Sequence, residues 1–361
     1  MLLFVVFLLG LLLFWAVAAF HLRGVNLLPF DLATGERFAG GPEPGPEIKV
    51  VIASLGGVAA VLRGVPRHRH IAVLRRYMDG IFAGRGFDAS FTPVNCAGVP
   101  AEWVVAPGAD SGRRTLYIHG GAFIMGSPLS HRTLTTRFSE LSGGAVLAID
   151  YRLMPEHPRI AGIEDCRSAY RWMLANGPQG PGPASAVFVA GDSAGGNLTL
   201  SLIAWVRDQG LRAPDAAVAL SPATDATLSS PSLKAHLHSD AMLGPLFARL
   251  ARVPHAALLW FGWIQGRINP KDPVVSPVYG DLSNLPPVLV QASEIEMLLD
   301  DSRRYVNRAQ AAGSPVRLQT WGHMVHVWQI FNPELPEARE ALAEIGKFLA
   351  AVAPPGAGKS T

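Results

Sequence analysis

Cysteine is nearly absent. Two in 361 residues, Cys96 and Cys166, give no disulfide framework, and they stand too far apart for a paired metal-ligand motif. Both read as buried free thiols. Charge is also scarce, at 16% of residues, and there is no long Lys/Arg block. A formal net charge of +3 without such a block excludes a nucleic-acid partner. The stretch Met1–Phe20 carries no charge at all, and nothing basic precedes it. A cleaved signal peptide normally shows a basic leader and a shorter apolar core. The length suits one large α/β domain with an inserted lid, or two domains.

What is present begins with that apolar run. Roughly 20 apolar residues cross a bilayer as a helix. Residues 1–22 therefore read as a retained, single-pass membrane anchor. The alternative is export after cleavage near Ala16-Val17-Ala18. Arg23 and Arg37 follow the run, and the positive-inside rule then places the rest of the chain in the cytoplasm. Residues 23–98 read as linker and N-terminal cap helices. Within them Gly40–Pro46 is a Pro/Gly linker. Ile48–Leu62 is apolar but short for a span, which suggests a helix covering the active site or dipping into the interface. A basic cluster, Arg63 to Arg76, reads as a solvated helix face, with attraction to anionic lipid as the alternative.

From Val99 onward, short apolar runs alternate with amphipathic ones. This pattern predicts a mostly parallel sheet covered on both faces, an α/β fold. Residues 99–222 and 272–352 form this core, 223–271 a cap insertion, and 353–361 a disordered tail. The ending Gly358-Lys359-Ser360-Thr361 is no phosphate-binding loop, because Ala353 replaces the first glycine and no helix follows.

The stretch Gly191-Asp192-Ser193-Ala194-Gly195-Gly196 lies between an apolar strand, Ala186–Ala190, and a helical run, Leu198–Val206. Strand, Gly-x-Ser-x-Gly, helix is the context in which a serine stands exposed on a strained turn as a nucleophile. That assigns Ser193. A second stretch, His119-Gly120-Gly121-Ala122-Phe123, follows the strand ending at Ile118. Paired glycines let backbone N–H groups approach a developing oxyanion. Gly120, Gly121 and Ala194 are the expected donors, with His119 holding the loop rather than acting as base.

These two motifs, with Asp150-Tyr151-Arg152-Leu153-Met154-Pro155-Glu156-His157-Pro158 between them, resemble the hormone-sensitive-lipase-like esterases of the α/β-hydrolase superfamily. The resemblance runs from about Val99 to about Phe331. It implies an eight-stranded sheet, a helical cap over the serine, and hydrolysis of carboxylic esters of short to medium acyl chain. It implies no metal or organic cofactor. The substrate is expected to be a lipophilic small-molecule ester, and a homodimer is compatible with this reading. Amide deacetylation by the same mechanism, or a non-catalytic receptor such as the gibberellin receptor, are the alternatives.

By the same resemblance the general base is His326, with His323 the competitor three residues earlier. The triad acid departs from the commonest family pattern, Asp-Pro-Leu-x-Asp. Aligning Leu298 and Asp300 of Ser293–Asp301 with that pattern puts Glu296 in the acid's place. Glu294 and Asp300 are the competing carboxylates, Asp300 with a rival role as cap of the following helix.

Overall fold

The computed structural model describes residues 1–38 and 45–354. It opens with α1 (Leu2–Ala16), whose helix continues with wider turns through Leu22, then β1 (Glu36–Phe38), α2 (Pro46–Leu55) and α3 (His70–Gly80). The core follows as β2 (Ser90–Cys96), β3 (Val99–Val105), β4 (Asp110–Ile118), α4 (Arg132–Ser142) and β5 (Gly144–Ile149). Next come α5 (Arg159–Ala175), β6 (Ala186–Asp192), α6 (Ala194–Asp208) and β7 (Ala216–Leu220). A helix of the cap, α7 (His255–Gly266), precedes β8 (Val288–Ser293), α8 (Leu299–Ala311), β9 (Val316–Trp321) and α9 (Pro336–Val352).

Among the described residues these strands form a nine-stranded sheet in the order β1-β9-β8-β7-β6-β4-β5-β3-β2. All pairs are parallel except β2–β3 and β3–β5. Strand side chains alternate between faces. Leu116 and Ile118 of β4, Leu147 and Ile149 of β5, and Val187 and Val189 of β6 pack with α5, α6 and α8. Residues of the alternate positions, Tyr117, Val146 and Phe188, pack against Leu134 and Phe138 of α4 and Leu342 and Ile345 of α9. With both faces covered, the central strands are buried throughout, which is why they read as apolar runs. The strand order runs outward in opposite directions from β4 and β6, so a crevice opens at their carboxyl ends.

The α/β-hydrolase architecture expected from the sequence is present, with one strand more than the eight implied. The addition is β1, whose three residues are too few to show a period of two. It pairs parallel with β9, and Phe38 stacks on Trp321 at 4.3 Å between ring centroids. Gly35, at φ +89°, introduces it where a β-carbon would overlap the Leu318 carbonyl. The polar edge strand β2, interrupted by Pro93, also carries no apolar alternation.

The N-terminal segment is folded onto the core. Arg304 of α8 pairs with Asp31, and Asn307 Nδ2 donates to the carbonyls of Phe30 and Leu32, each at 2.9 Å. Ile48 and Val51 of α2 pack on Trp321, Met324, Val325 and Trp328, so this segment covers the loop that carries His326. The linker Gly40–Pro46 falls mostly, and the tail from residue 355 wholly, outside the described residues. The cap stretch from Met242 to Ile264, apolar and mostly helical in its sequence pattern, is helical in three separate pieces. Pro245 and Pro254 confine it to a turn at Gly244–Phe247, a tighter turn at Leu250–Arg252, and α7.

The turn from β6 into α6 is packed tightly against the end of β4. A β-carbon at Gly195 would overlap the carbonyl oxygens of Ile118 and His119. Gly195→Ala is expected to cost about 1–3 kcal/mol of stability through this overpacking. Thermal unfolding of both proteins in the same detergent measures it; an unchanged midpoint would show that the turn has slack.

Candidate active site

Ser193 is the first element of the site. Its backbone lies at φ 53°, ψ −115°, a conformation that costs of order 1–3 kcal/mol and persists only where the surroundings enforce it. Here Ser193 N donates to the Leu220 carbonyl at 2.7 Å, and Asn197 N donates to the Ser193 carbonyl at 3.1 Å. The hydroxyl is thereby raised above the carboxyl edge of β6, at the start of α6.

The structure brings Ser193, His326 and Glu296 together from three elements. Ser193 Oγ lies 2.8 Å from His326 Nε2, and His326 Nδ1 lies 2.8 Å from Glu296 Oε2. His326 and Glu296 are buried. The other glutamate oxygen accepts from Ser293 N at 3.1 Å, and Ser293 Oγ donates to the Met324 carbonyl at 2.6 Å. One serine thus ties the acid turn after β8 to the histidine loop after β9. Burial pushes the Glu296 carboxyl above its ordinary value, and the His326 hydrogen bond offsets part of this. On the imidazole, burial pulls down, but the hydrogen bond and charge of Glu296 together outweigh it, so His326 is raised.

The competing residues have other partners. Glu294 pairs with Arg303 at 3.2 Å. Asp300 accepts from Ser232 N at 2.8 Å, and it does not cap α8, whose cap position is Leu298. The helix begins earlier than its acidic residues suggest, and the Asp300 carboxylate is drawn to the cap instead. His323, half-buried at φ 61°, makes no hydrogen bond to the Ser193–His326 pair.

The loop after β4 differs from expectation at one of its donors. Gly120 N donates to Asp192 Oδ1 at 3.1 Å, inside the protein, and so points away from the serine. Gly121, Ala122 and Ala194 have no intramolecular acceptor for their N–H groups among the described residues. Ala122, at φ 54°, and Ala194 line the cavity with Ser193. The correction follows from a buried charge that must find donors. Besides Gly120 N, Asp192 accepts from Tyr117 Oη at 2.8 Å and lies 3.4 Å from His131 Nε2. An aspartate closing an apolar strand was the signal for this network. His119 is structural, as its sequence suggests. It donates from Nδ1 to the Gly120 carbonyl at 2.8 Å and stacks on Tyr151. Burial, with His131 nearby, lowers its pKa to about 3, so it stays neutral.

Arg75 of α3, part of the basic cluster, is docked on this loop rather than free in solvent. It donates to the Ile124 carbonyl at 2.7 Å and the Met154 carbonyl at 3.0 Å, and pairs with Glu156. Above the serine lies a cavity of about 320 Å³, walled by Phe123, Leu233, Leu243, Phe247, Phe261 and Met297 among others. Of the cap aromatics, Phe247 and Phe261 reach the cavity, whereas Trp260 and Trp263 pack against α1 and its continuation. Arg159, missed in the sequence, also lines the cavity, with its guanidinium 3.9 Å over the Phe123 ring.

The Asp192–His131 pair fixes a pH dependence. Burial opposes charge on both partners, yet their mutual attraction and hydrogen bonds leave His131 raised and Asp192 lowered. The pair therefore stabilises the fold most below the unfolded histidine value of about 6.5. That contribution is lost as pH rises through the folded value. The midpoint difference between wild type and His131→Gln is expected to be larger near pH 5.5 than near pH 8.5. A gap of equal size at both pH values, measured by thermal unfolding, would contradict the charged pair.

Comparison with known proteins agrees with this geometry. Residues 115–330 match the model of a family described as having the alpha/beta hydrolase fold. An acetyl-hydrolase of Streptomyces hygroscopicus is 39% identical over 69% of this chain and 79% of its own. The carboxylesterase/phospholipase LipF of Mycobacterium tuberculosis is 35% identical over 72% of this chain and 68% of its own. Among solved structures, a mutant of the esterase E40 superposes with a TM-score of 0.74 at 38% identity, covering 86% of this chain and 99% of that one. An esterase from the bacterial hormone-sensitive lipase family has the same TM-score at 37% identity, with the same coverage of both chains. The chain belongs to the α/β-hydrolase family that contains these esterases, and it is a carboxylic ester hydrolase.

Proposed function

We propose that this hydrolase cleaves carboxylic esters of short to medium acyl chain through an acyl-enzyme on Ser193, and that residues 1–22 hold it at a membrane. The hydrogen-bond chain from Ser193 Oγ through His326 to Glu296 carries the first part. His326 takes the serine proton as the hydroxyl oxygen bonds to the ester carbonyl carbon. The negative charge on the carbonyl oxygen is met by the N–H groups of Gly121, Ala122 and Ala194, with Gly120 reserved for Asp192. Collapse expels the alcohol, protonated by His326. Water, deprotonated by the same imidazole, then releases the acid. A cavity of about 320 Å³ lies at the small end of ligand sites, roughly 300–1,000 Å³, which supports a modest acyl group.

Amide deacetylation by the same steps is the second reading, with which the acetyl-hydrolase relative is compatible. A receptor role has less support, because the histidine bonded to the serine is in place.

The membrane part rests on Leu3–Leu22, 20 residues apolar enough to span a bilayer. Cleavage near Ala18 would remove a folded contact, since Phe14, Val17 and Ala18 pack with Ala256 and Leu259 of α7. Retention therefore fits the structure's own packing, and the positive-inside rule puts the catalytic domain in the cytoplasm. Mass spectrometry of the mature N-terminus is expected to find Met1–Phe20 intact. A protein beginning near Ala19 would overturn the anchor.

Ser193→Ala is expected to abolish hydrolysis of short aryl esters. Glu296→Gln should lower kcat by about two to four orders of magnitude. It should also move the acid limb of the pH–rate profile downward, because the carboxylate that raises His326 is gone. Near-normal turnover by Glu296→Gln, with collapse in Glu294→Gln or Asp300→Asn, would assign the acid elsewhere.

A further inference from the structure

The cap helix α7 presents three different faces. Ala256, Leu259, Trp260 and Trp263, at helical spacing, pack against Phe14, Val17, Ala18 and Leu22. Trp260 Nε1 donates to the Phe14 carbonyl at 3.1 Å, and the two rings stack 5.5 Å apart. Gly262, Gln265 and Gly266 turn toward the cavity over Ser193. Between these faces Phe261 is 59% exposed and Ile264 67% exposed. Leu246, Leu250 and Val253, from the turns that precede α7, are exposed as well. Arg249 and Arg252, which alternate with Leu246, Leu250 and Val253 along the chain, and Arg267, three residues after Ile264, are exposed as well. An apolar patch rimmed by arginines is the composition of a surface that meets a lipid interface, with aliphatic stems buried and guanidinium heads at the phosphates.

Depth decides where this patch lies. A 20-residue span, Leu3–Leu22, just matches the hydrocarbon thickness of a bilayer. Its last part, Phe14–Leu22, is roughly 12 Å of helix at 1.5 Å per residue and is covered on one side by α7. If the span crosses, α7 is carried down into the headgroup and upper acyl region of that leaflet. The pins at Asp31–Arg304 and Asn269 Nδ2 to the His21 carbonyl, the latter 2.9 Å, hold the helix and cap in this relation.

We infer that the cap rests in the bilayer, with Phe261, Ile264, Leu246, Leu250 and Val253 in contact with lipid, and that ester substrates reach Ser193 laterally from the membrane past Phe261. This rests on the membrane-span reading of residues 1–22. Phe261 is the pivot, since it is both exposed and part of the cavity wall. The substrates favoured are esters that partition into lipid.

The test uses the full-length chain in vesicles of phosphatidylcholine and phosphatidylglycerol. The native thiols are buried, so Ile264→Cys and Pro107→Cys, the latter in the exposed turn between β3 and β4 at the end of the sheet opposite the site, can each be labelled selectively with bimane. The label at 264 is expected to be quenched by nitroxide lipids and shielded from aqueous iodide, and the label at 107 the reverse. Independently, the doubly substituted Leu250→Asp/Ile264→Asp protein is expected to raise the apparent KM for a bilayer-dissolved long-chain aryl ester. The rise should be about tenfold or more, the effect of losing one or two buried aliphatic groups. Its kcat/KM for water-soluble p-nitrophenyl acetate in detergent should match wild type. Iodide quenching at 264 equal to that at 107, in a protein that resists carbonate extraction, would overturn the inference while leaving the anchor intact. Release by carbonate would overturn the anchor and this inference with it.

Discussion

The backbone of Gly195 lies against the carbonyls of Ile118 and His119 with no room for a side chain, and the site is assembled around that contact. It brings the start of α6 up to the end of β4. The turn carrying Ser193 and the loop His119–Phe123 thus become neighbours although they are far apart in sequence. The same closeness puts the Asp192 carboxylate within reach of Gly120 N and Tyr117 Oη. A buried charge in an apolar sheet is unfavourable until it is satisfied. Here one of the donors that satisfy it, Gly120 N, belongs to the loop that must be held still.

The histidine and its acid depend on a second junction, between the carboxyl ends of β8 and β9. Ser293 there bonds both the Glu296 carboxylate and the Met324 carbonyl. Glutamate is one methylene longer than aspartate, and its turn accommodates this by letting Oε1 fold back onto Ser293 N while Oε2 meets the imidazole. The cap adds Asp240, which accepts from Met297 N at 2.9 Å and so braces the acid turn from above. Cap and core are therefore joined at the Glu296 turn as well as around the cavity, and displacement of the cap would be felt by the hydrogen-bond chain from Glu296 through His326 to Ser193.

The N-terminal segment joins the two ends of the structure. It leaves the apolar helix, is pinned to α8 by Asp31, adds β1 beside β9, and then covers the histidine loop with α2. An apolar helix on a flexible tether would move independently of the domain. This one is packed on the cap helix that walls the cavity. The position of the apolar helix relative to the cavity is thereby set by side-chain packing.

Much of this was legible in the sequence. The fully apolar strands and the Gly-x-Ser-x-Gly turn each carry a local signal, because buried parallel strands and a sharp turn each constrain composition directly. Glu296 and His326 were legible through the spacing of a family pattern, since the loops that carry them leave strands of recognisable type. What the sequence did not specify depends on contacts between distant segments. A three-residue strand such as β1 has no periodicity of its own and exists through its pairing with β9. Prolines marked the breaks in the cap, but only packing decided that Trp260 and Trp263 face the N-terminal helix while Phe247 and Phe261 face the cavity. Likewise Gly120 and Gly121 are equivalent as a sequence motif, and the buried Asp192 carboxylate alone distinguishes them, by taking the first N–H for itself.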